Sequence, residues 1–309
     1  VLLGQPNIDP YQKFHSMSQT EQSDLLLNQF KTELGDSSDR KILLVAPETF
    51  TNDIVVNDIA GSTSFGHFQK FLSTYPNADF LFGASSYEYV PSVEAPSLTA
   101  RNIRKGLWVE THNSALMTDC TGRHEIFHKS KLVVGTELTP YPRVFNKLDE
   151  LLGGVMAHCS GQDEISLLHL QDGTPIGCAV CYESVFGEYC TGYVKKGARA
   201  LAVITNDAWW GNTPGYLQHL SYSSLRAIET RRDIARCANT GISAFINQRG
   251  DIVDKTNWWM RETLEGSINL SSRETFFVKY GDIAGLVSTA LFLLLLLILI
   301  IKAFIPVKK

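Results

Sequence analysis

The sequence predicts an α/β domain followed by a single membrane-spanning helix. Short apolar runs rich in β-branched and aromatic residues alternate with amphipathic helical patterns over residues 1–280, which is typical of an α/β fold. Several of these runs are apolar throughout rather than alternating, so we expect the sheet to be covered on both faces. A run without any charged residue then occupies residues 283–301.

The predicted strands begin at the first residue, where VLLGQPNI has the composition of a strand. Eight further runs have the same β-branched and aromatic content. They occupy residues 41–47, 79–85, 113–119, 125–132, 165–170, 176–182, 200–206 and 243–247.

Three helical segments lie between the strands. Ser18 and Glu21 have the spacing of a capping box, which predicts a helix over EQSDLLLNQFKTEL. A second helix is predicted over ESVFGEYCTGYVKKGA, directly after Tyr182. A longer helix is predicted from about Tyr216, because apolar and polar residues separate onto two stripes. The apolar stripe contains Leu217, Leu220, Leu225 and Ile228, and the polar stripe contains Glu229, Arg231, Arg232 and Asp233.

The apolar run at residues 283–301 has the length of a bilayer span, which needs about 20 residues. A buried core helix is rarely apolar all round at this length. Lys302, Lys308 and Lys309 follow the run, and the positive-inside bias places such residues in the cytoplasm. We therefore expect a short basic cytoplasmic tail at residues 302–309.

The same orientation places residues 1–280, which contain no linker-like segment, on the outer face of the membrane as one domain. Because the chain starts at Val1 directly in a strand, we expect it to be a fragment that lacks an upstream part. Trp258 and Trp259, in NWWMRE, are candidates for contact with the bilayer surface, where tryptophan is enriched.

The charge and the cysteines exclude several classes of function. A net charge of −4 gives no indication of a nucleic-acid partner. The six cysteines include one CxxC but no second ligand pair, and the histidines lack ligand spacing, so we expect neither a metal nor a cofactor. Cys178 and Cys181 face opposite sides of a strand and should not form a disulfide. We expect Cys178, Cys190 and Cys237 to pack as small apolar groups.

Cys181 is the candidate nucleophile because it lies where a predicted strand meets a predicted helix. A residue at such a junction is exposed on a sharp turn, as in a nucleophile elbow. The N-terminus of the following helix is expected to favour the thiolate. A free thiol is mostly protonated at neutral pH, so a base is also required.

Glu48 and Lys129 are the candidate partners of Cys181. Glu48 directly follows the apolar strand of VAPETF, at the carboxyl end where α/β proteins place functional groups. Lys129 is predicted within a strand, with Glu137 eight residues later. Burying a charged side chain among apolar strand residues costs free energy, unless the charge is paired with an opposite charge or serves a function. Structural salt bridges give the same signal, so these residues taken singly leave the choice open.

Six segments together are more specific than any of these residues alone. They are QPNIDPYQKF, APETF, HKSKLVVGTE, CAVCYE, VITNDAWWGNTPGYLQHL and RAIETRRDIARCANTGIS. With the terminal apolar run, they resemble the nitrilase superfamily and, within it, the membrane-integral apolipoprotein N-acyltransferase family. The resemblance implies a nitrilase-like α-β-β-α sandwich. The chain departs from the family in two ways. It has the sequence VGTE, which ends at Glu137, where the family commonly has Pro-Phe-Gly-Glu, and it lacks the upstream membrane helices.

The resemblance also implies roles for individual residues. Cys181 is the nucleophile, Glu48 the general base, and Lys129 the cation that stabilises the oxyanion beside the backbone N–H of Tyr182. Supporting and pocket roles fall to five further residues. Glu137 and Glu183 position Lys129 and the base, and Asn206, Trp209 and Trp210 shape the acyl or head-group pocket. For the tryptophans, a role as core or interface anchors is an equal alternative.

The function implied is N-acylation of the diacylglyceryl-cysteine at the N-terminus of a lipoprotein. A phospholipid donates the acyl chain through a thioester on Cys181, in two half-reactions. The implied location is the bacterial cytoplasmic (inner) membrane, with the catalytic domain on the periplasmic face of the bilayer and the protein a monomer. Two alternatives remain: a membrane-anchored carbon–nitrogen hydrolase, and an inactive interaction domain on a membrane stalk.

Overall fold

The structure is a computed structural model that describes residues 1–10, 13, 17–36, 39–141 and 158–304. Within these residues the strands form two sheets. The strands are β1 (Leu2–Gln5), β2 (Ile42–Val45), β3 (Thr51–Val55), β4 (Ala78–Pro91), β5 (Arg101–Arg104), β6 (Leu107–Asp119), β7 (His124–His128), β8 (Leu168–His169), β9 (Pro175–Val180), β10 (Ala200–Thr205), β11 (Ile234–Ala238), β12 (Ala244–Ile246), β13 (Ile252–Lys255) and β14 (Glu262–Glu265).

The first sheet has the order β14-β1-β2-β4-β6-β5, with β3 paired to β4 and β7 paired to β6. The second sheet has the order β13-β12-β11-β10-β9-β8. Strands β1, β2 and β4 run parallel to one another, as do β9, β10 and β11. The carboxyl ends of these parallel strands therefore lie at one edge of each sheet.

The described helices are α1 (Gln19–Leu34), α2 (Thr63–Leu72), α3 (Gly187–Lys195), α4 (Gly215–Thr230), α5 (Phe276–Tyr280) and α6 (Ile283–Phe304). Three short 3₁₀ helices occupy Val56–Gly61, Cys181–Val185 and Asp207–Trp210. The capping box predicted for α1 is confirmed: the Ser18 hydroxyl accepts from the Glu21 N–H at 3.2 Å, and the Glu21 carboxylate accepts from the Ser18 N–H at 2.7 Å.

Two apolar clusters hold the layers together. Helices α1 and α2 pack on the outer face of the first sheet, where Phe30 and Phe68 contact Phe80 edge to face. The inner faces of the two sheets share a second cluster that includes Val45 and Val203. Alternating side chains of each strand thus fill two different layers. Together with α3 and α4, which pack on the second sheet, this arrangement is the expected α-β-β-α sandwich.

The predicted strands are all found, with different bounds. Strands β4 and β6 are much longer than predicted, because their far ends pair with each other beyond the core. The strands β3, β5, β11, β13 and β14 were not predicted. Lys129 and Cys181, predicted inside strands, each lie one residue beyond the end of a strand.

The predicted buried face of α4 is wrong. Leu217, Leu225 and Ile228 are more than 40% exposed, and only Leu220 of the predicted stripe is buried. The face that packs inward instead carries polar side chains such as His219 and Arg226. The helix ends at Thr230, and three of the residues assigned to its polar stripe lie beyond it: Arg231, Arg232 and Asp233. The latter two are buried in front of β11.

The helix predicted directly after Tyr182 is also different. A 3₁₀ turn at Cys181–Val185 comes first, and α3 begins only at Gly187. All six cysteines are free thiols, and Cys178, Cys190 and Cys237 are buried, as expected. One helix of the described residues, α6, is long and apolar enough to cross a membrane over Ile283–Lys302. Lys308 and Lys309 lie outside the described residues.

Candidate active site

Four polar residues that end strands converge at the carboxyl edge of the two sheets. Glu48 follows β2, Lys129 follows β7, Cys181 follows β9 and Asn206 follows β10. The first two belong to one sheet and the last two to the other. Hydrogen bonds and electrostatic interactions connect them across the gap between the sheets.

Glu48 is buried, and its carboxylate accepts hydrogen bonds from three donors. Oε1 accepts from the Asn113 side-chain amide at 2.7 Å and from the Lys129 ammonium at 3.2 Å. Oε2 accepts from the backbone N–H of Asn206 at 3.0 Å. Asn113 lies within β6, while Lys129 and Asn206 follow β7 and β10, so donors from three different strands hold the carboxylate in one orientation.

The backbone that carries Glu48 is pressed against β4 at Gly83. A Cβ atom on Gly83 would lie 2.6 Å from the Glu48 Cα and 2.5 Å from the Pro47 carbonyl oxygen. Any side chain larger than hydrogen would therefore move Glu48. On the other side, the Lys13 ammonium donates to the carbonyl of Thr49, which has a positive φ of 46°. Burial lowers the pKa of Lys13 to about 8, although the Glu48 carboxylate acts in the opposite direction.

Lys129 is buried between two carboxylates. Its Nζ lies 3.2 Å from Glu48 Oε1 and 2.9 Å from Glu137 Oε1. Burial lowers the pKa of Lys129, but interactions with Glu48, Cys181 and Glu137 together outweigh burial and raise it well above the usual range. The ammonium therefore stays charged at any physiological pH.

Glu137 and Asn113 complete the surroundings of the ammonium. The Asn113 amide donates to Glu137 Oε1 at 2.6 Å as well as to Glu48, and so bridges the two carboxylates. Glu137 Oε2 accepts from the Val133 N–H at 2.8 Å. Asn113 was placed in a strand by the sequence but given no functional role. Nothing in the local sequence distinguishes it, because its partners come from distant segments.

Cys181 lies at a strained turn, with a positive φ of 52° that non-glycine residues rarely adopt. Burial and the Glu48 carboxylate raise the pKa of the thiol far above its usual value, while Lys129 and a hydrogen bond with Thr205 lower it by less. The expectation that a helix N-terminus favours the thiolate is therefore wrong, since α3 begins six residues later. The resting side chain is a thiol.

The turn at Cys181 is held by a buried polar network that the sequence did not reveal. The Cys181 carbonyl accepts from the Ser184 hydroxyl at 2.7 Å and lies 3.1 Å from His219 Nε2. The other ring nitrogen of His219 lies 2.7 Å from Asp207 Oδ1, and the Arg236 guanidinium donates to Asp207 Oδ2 at 2.8 Å.

Asp207 is the charged centre of this network. Burial raises its pKa, but Arg236 and His219 outweigh burial and lower it to about 2. His219 and Asp207 belong to the segment VITNDAWWGNTPGYLQHL, which was noted for its resemblance only. The signal for them is a histidine on the inward face of α4, and the wrongly assigned apolar stripe concealed it.

Glu183 links the Cys181 turn to the loop that carries Lys129. Its carboxylate accepts from the backbone N–H groups of Val180 at 2.8 Å and Ser130 at 2.6 Å, and from the Tyr189 hydroxyl at 2.8 Å. Burial raises the pKa of Glu183, and these hydrogen bonds oppose that shift. Glu183 thus contacts the main chain next to Lys129 rather than the ammonium.

The remaining predicted residues lie around the rim. Asn206 is buried, and its side-chain oxygen accepts from Asn239 at 3.3 Å while its N–H holds Glu48. Trp209 and Trp210 are 63% and 47% exposed. Tyr182 is 37% exposed and contacts Phe186 edge to face. A pocket role for these side chains, and the oxyanion role of the Tyr182 N–H, stay predictions.

The arrangement is suited to covalent acyl chemistry. A partly buried thiol, a buried carboxylate and a charged ammonium lie together at the strand ends, which is what nucleophilic attack on a carbonyl and stabilisation of the oxyanion require. A four-layer sandwich with these groups at its strand ends defines the class of protein: the chain belongs to the carbon-nitrogen hydrolase family, whose profile matches residues 100–276.

Within that family, the curated relatives that the chain matches are apolipoprotein N-acyltransferases. It is 30% identical to the protein of Chlorobaculum tepidum over 92% of this chain, 33% identical to that of Thermotoga maritima over 57%, and 36% identical to that of Geobacter metallireducens over 53%. The chain spans 53%, 35% and 31% of those proteins, respectively. The resemblance inferred from the motifs is confirmed.

Solved structures of the superfamily have the same fold. A Saccharomyces cerevisiae member of branch 10 of the nitrilase superfamily aligns with a TM-score of 0.59 at 14% identity, over 85% of this chain and 86% of the other. An amidase mutant of Nesterenkonia from the same superfamily aligns with a TM-score of 0.52 at 16% identity, over 80% and 83%. At these identities the match supports the fold alone.

Proposed function

We propose that this chain is the catalytic part of an enzyme that N-acylates the N-terminal diacylglyceryl-cysteine of lipoproteins with an acyl chain from a phospholipid. The observation that carries the proposal is the Lys129 ammonium, held by Glu48 and Glu137 and electrostatically coupled to the Cys181 thiol. Such a site could act on several acyl donors and acceptors. The similarity to apolipoprotein N-acyltransferases is our reason for proposing a phospholipid as the donor and a lipoprotein as the acceptor.

In the first half-reaction, the Glu48 carboxylate takes the proton of the Cys181 thiol as the sulfur attacks the ester carbonyl of the phospholipid. The tetrahedral oxyanion is stabilised by the Lys129 ammonium and the Tyr182 N–H. The ester C–O bond then breaks, and Glu48 returns the proton to the departing lysophospholipid. Because burial keeps the resting sulfur protonated, base and nucleophile must act together.

In the second half-reaction, the α-amine of the lipoprotein attacks the thioester. Glu48 accepts a proton from the attacking nitrogen, and Lys129 again stabilises the oxyanion. The C–S bond breaks, and the proton held by Glu48 restores the thiol. The same three side chains therefore serve both halves, and Asn206, Trp209 and Trp210 would contribute the rim of the lipid pocket.

The domain organisation supports a location at the membrane. Residues 1–280 form the catalytic domain, residues 283–301 the membrane helix and residues 302–309 a basic cytoplasmic tail. The exposed apolar surface of α6 supports insertion, since none of the span is buried against the other described residues. With Lys302 at the cytoplasmic end, the catalytic domain faces the periplasm of a bacterial inner membrane, where both lipid substrates are held near it.

The alternative is a membrane-anchored amidase in which water resolves the acyl-enzyme. In this alternative, too, the Cys181 sulfur first attacks a carbonyl and forms an acyl-enzyme. Membership of the carbon-nitrogen hydrolase family favours it. An amidase would release ammonia from a small amide, whereas an acyltransferase needs a lipid ester and an amine.

The test uses the full-length protein with phospholipid labelled in its sn-1 chain. We expect an acyl mass on the peptide that contains Cys181, removable by hydroxylamine, and transfer of the label to a diacylglyceryl-cysteine peptide added afterwards. Cys181→Ala should abolish the adduct, while Cys120→Ala, a partly exposed thiol outside the site, should leave it intact.

Three outcomes would contradict the proposal. Release of labelled fatty acid without transfer to the peptide would favour hydrolysis. Ammonia release from small amides without any lipid adduct would indicate the amidase. Full function of Cys181→Ala in cells would indicate that the domain acts through interactions alone.

A further inference from the structure

We propose that the far ends of β4 and β6 form a binding site for a divalent transition-metal ion, best matched by Zn²⁺, with Glu88, Glu110 and His112 as ligands. Their ligand atoms all lie within 4.8 Å of one another. None of the three ligands is among the residues proposed for catalysis.

The register of the two strands places the three side chains together. Glu88 is paired directly with Glu110, and Ser86 with His112. Glu110 and His112 are two residues apart on one strand and therefore face the same side, as does Glu88 opposite them. No spacing rule shows this in the sequence, because Glu88 is separated from the other two by a hairpin.

The buried imidazole of His112 is already oriented as a metal ligand. His112 is 6% exposed, and Nδ1 lies 2.7 Å from the Ser160 carbonyl oxygen. A carbonyl only accepts, so Nδ1 carries a proton, and the second ring nitrogen, Nε2, is the one that can offer a lone pair to a metal ion. Metal-binding histidines are commonly fixed in this way by a backbone carbonyl.

The lone pair on Nε2 has no hydrogen-bond partner among the described residues, although it is buried. Its nearest carboxylate oxygen, Glu88 Oε2, is 3.7 Å away, which is too far for a hydrogen bond. Nitrogen and oxygen ligands at about 2.0–2.2 Å from tetrahedral zinc lie about 3.4 Å from each other. The observed separation therefore fits two ligands of one ion better than a direct contact.

The two glutamates supply a second reason. Like charges directly opposite each other on adjacent strands are destabilising, and Glu88 and Glu110 are such a pair. A divalent cation between them would neutralise both charges. One imidazole and two carboxylates with an open fourth position form a ligand set that zinc accepts.

A bound ion would fasten the ends of β4 and β6 next to the catalytic site. Asn113, which donates to both Glu48 and Glu137, directly follows His112 in β6. The ion would fix the strand from which that amide projects. It takes no part in the acyl-transfer steps, so the inference does not depend on the proposed function.

The experiment titrates the full-length protein in detergent with ZnCl₂ by calorimetry after removal of metal with a chelator. We expect one zinc ion to bind per chain. The dissociation constant for zinc should be at least about tenfold larger for Glu88→Gln and for Glu110→Gln than for the unaltered protein. Cys181→Ala should bind as the unaltered protein does, which excludes the catalytic thiol as ligand. His169→Gln, at the pair that His169 of the second sheet forms with Glu125 of the first, is the matched control and should bind normally.

Thermal unfolding separates a metal site from a simple ion pair between His112 and Glu88. With chelator present, Glu110→Gln should raise the Tm, because it removes a like-charge repulsion; with zinc present, it should have a lower Tm than the unaltered protein. The proposal is overturned if the unaltered protein binds no zinc, if both glutamine variants bind as tightly as it does, or if Glu110→Gln lowers the Tm equally with and without zinc.

Discussion

The carboxylate of Glu48 accepts a hydrogen bond of 3.0 Å from the backbone N–H of Asn206, and this bond joins the two sheets at the catalytic edge. Glu48 follows β2 in the first sheet, and Asn206 follows β10 in the second. The carboxylate proposed as general base is therefore oriented by the opposite layer of the sandwich. Any change that shifts one sheet relative to the other should displace the base from the thiol.

Charge changes at Glu48 and Lys129 should alter the reactivity of Cys181 in opposite directions. Glu48 raises the pKa of the thiol and Lys129 lowers it. At pH 9, Glu48→Gln should therefore be alkylated by iodoacetamide faster than the unaltered protein, and Lys129→Met more slowly, as measured by mass spectrometry of the Cys181 peptide. Both variants should lose acyl transfer, because one lacks the base and the other the oxyanion partner.

Shifts of the two alkylation rates in the same direction would show that access to the thiol, and not charge, controls them. Equal rates for the three proteins in denaturant would confirm that the differences arise in the folded state.

His219→Gln should slow formation of the acyl adduct by about 10-fold to 100-fold, since loss of a buried hydrogen-bond partner costs about 1–3 kcal/mol. Its ring connects the Cys181 carbonyl to the Asp207–Arg236 ion pair, so its loss should loosen the strained turn. We expect a lower kcat with little change in KM, since His219 is buried away from the surface. His67→Gln, at the surface pair with Asp24, should have no effect on either constant. An unchanged kcat in His219→Gln would refute the positioning role.

Gly83→Ala and Gly66→Ala should have opposite effects on stability. At Gly83 a Cβ would lie 2.6 Å from the Glu48 Cα, so overpacking should lower the free energy of unfolding by about 1–3 kcal/mol and reduce activity. Gly66 lies within α2 with nothing within 4 Å of the added carbon, so alanine should stabilise the helix by about 0.5–1 kcal/mol. Chemical denaturation of both variants measures the two values, and a stable, active Gly83→Ala would contradict the close approach.

Asp79→Asn should stabilise the protein at pH 8 and not at pH 4. Asp79 is buried opposite Asp119, and burial raises its pKa to about 6 from an unfolded value near 3.9. The folded state thus binds more protons than the unfolded state between about pH 4 and pH 6, so stability falls as the pH rises through this window. Above pH 6, ionised Asp79 lowers the free energy of unfolding by the full amount, on the order of 3 kcal/mol at most.

Thermal unfolding of Asp79→Asn and the unaltered protein at the two pH values measures this difference. Asparagine retains the side-chain oxygen that accepts from the Gln171 N–H, so loss of that bond should not mask the effect. An equal stability difference at pH 4 and pH 8 would show that the charge of Asp79 is not responsible.

The sequence predicted the strands next to Glu48, Lys129 and Cys181 from short runs with β-branched and aromatic content, although it placed Lys129 inside its strand and not one residue beyond it. It missed β11 because Arg232, Asp233 and Arg236 are charged yet buried, and charges in sequence usually indicate a solvent-exposed face. It misassigned the stripe of α4 for the same reason: the inward face carries His219 and Arg226, whose partners lie in distant parts of the chain.

By itself, the sequence determined the α/β class, the apolar terminal helix and the three residues of the catalytic proposal. These properties depend on local composition and on motifs that are contiguous in the chain. Only the tertiary structure decided that Asn113 bridges two carboxylates, that His219 supports the Cys181 turn, and that the thiol is protonated at rest. Each of these depends on contacts between segments far apart in sequence, and the burial and charge that set a pKa exist only once those segments have come together.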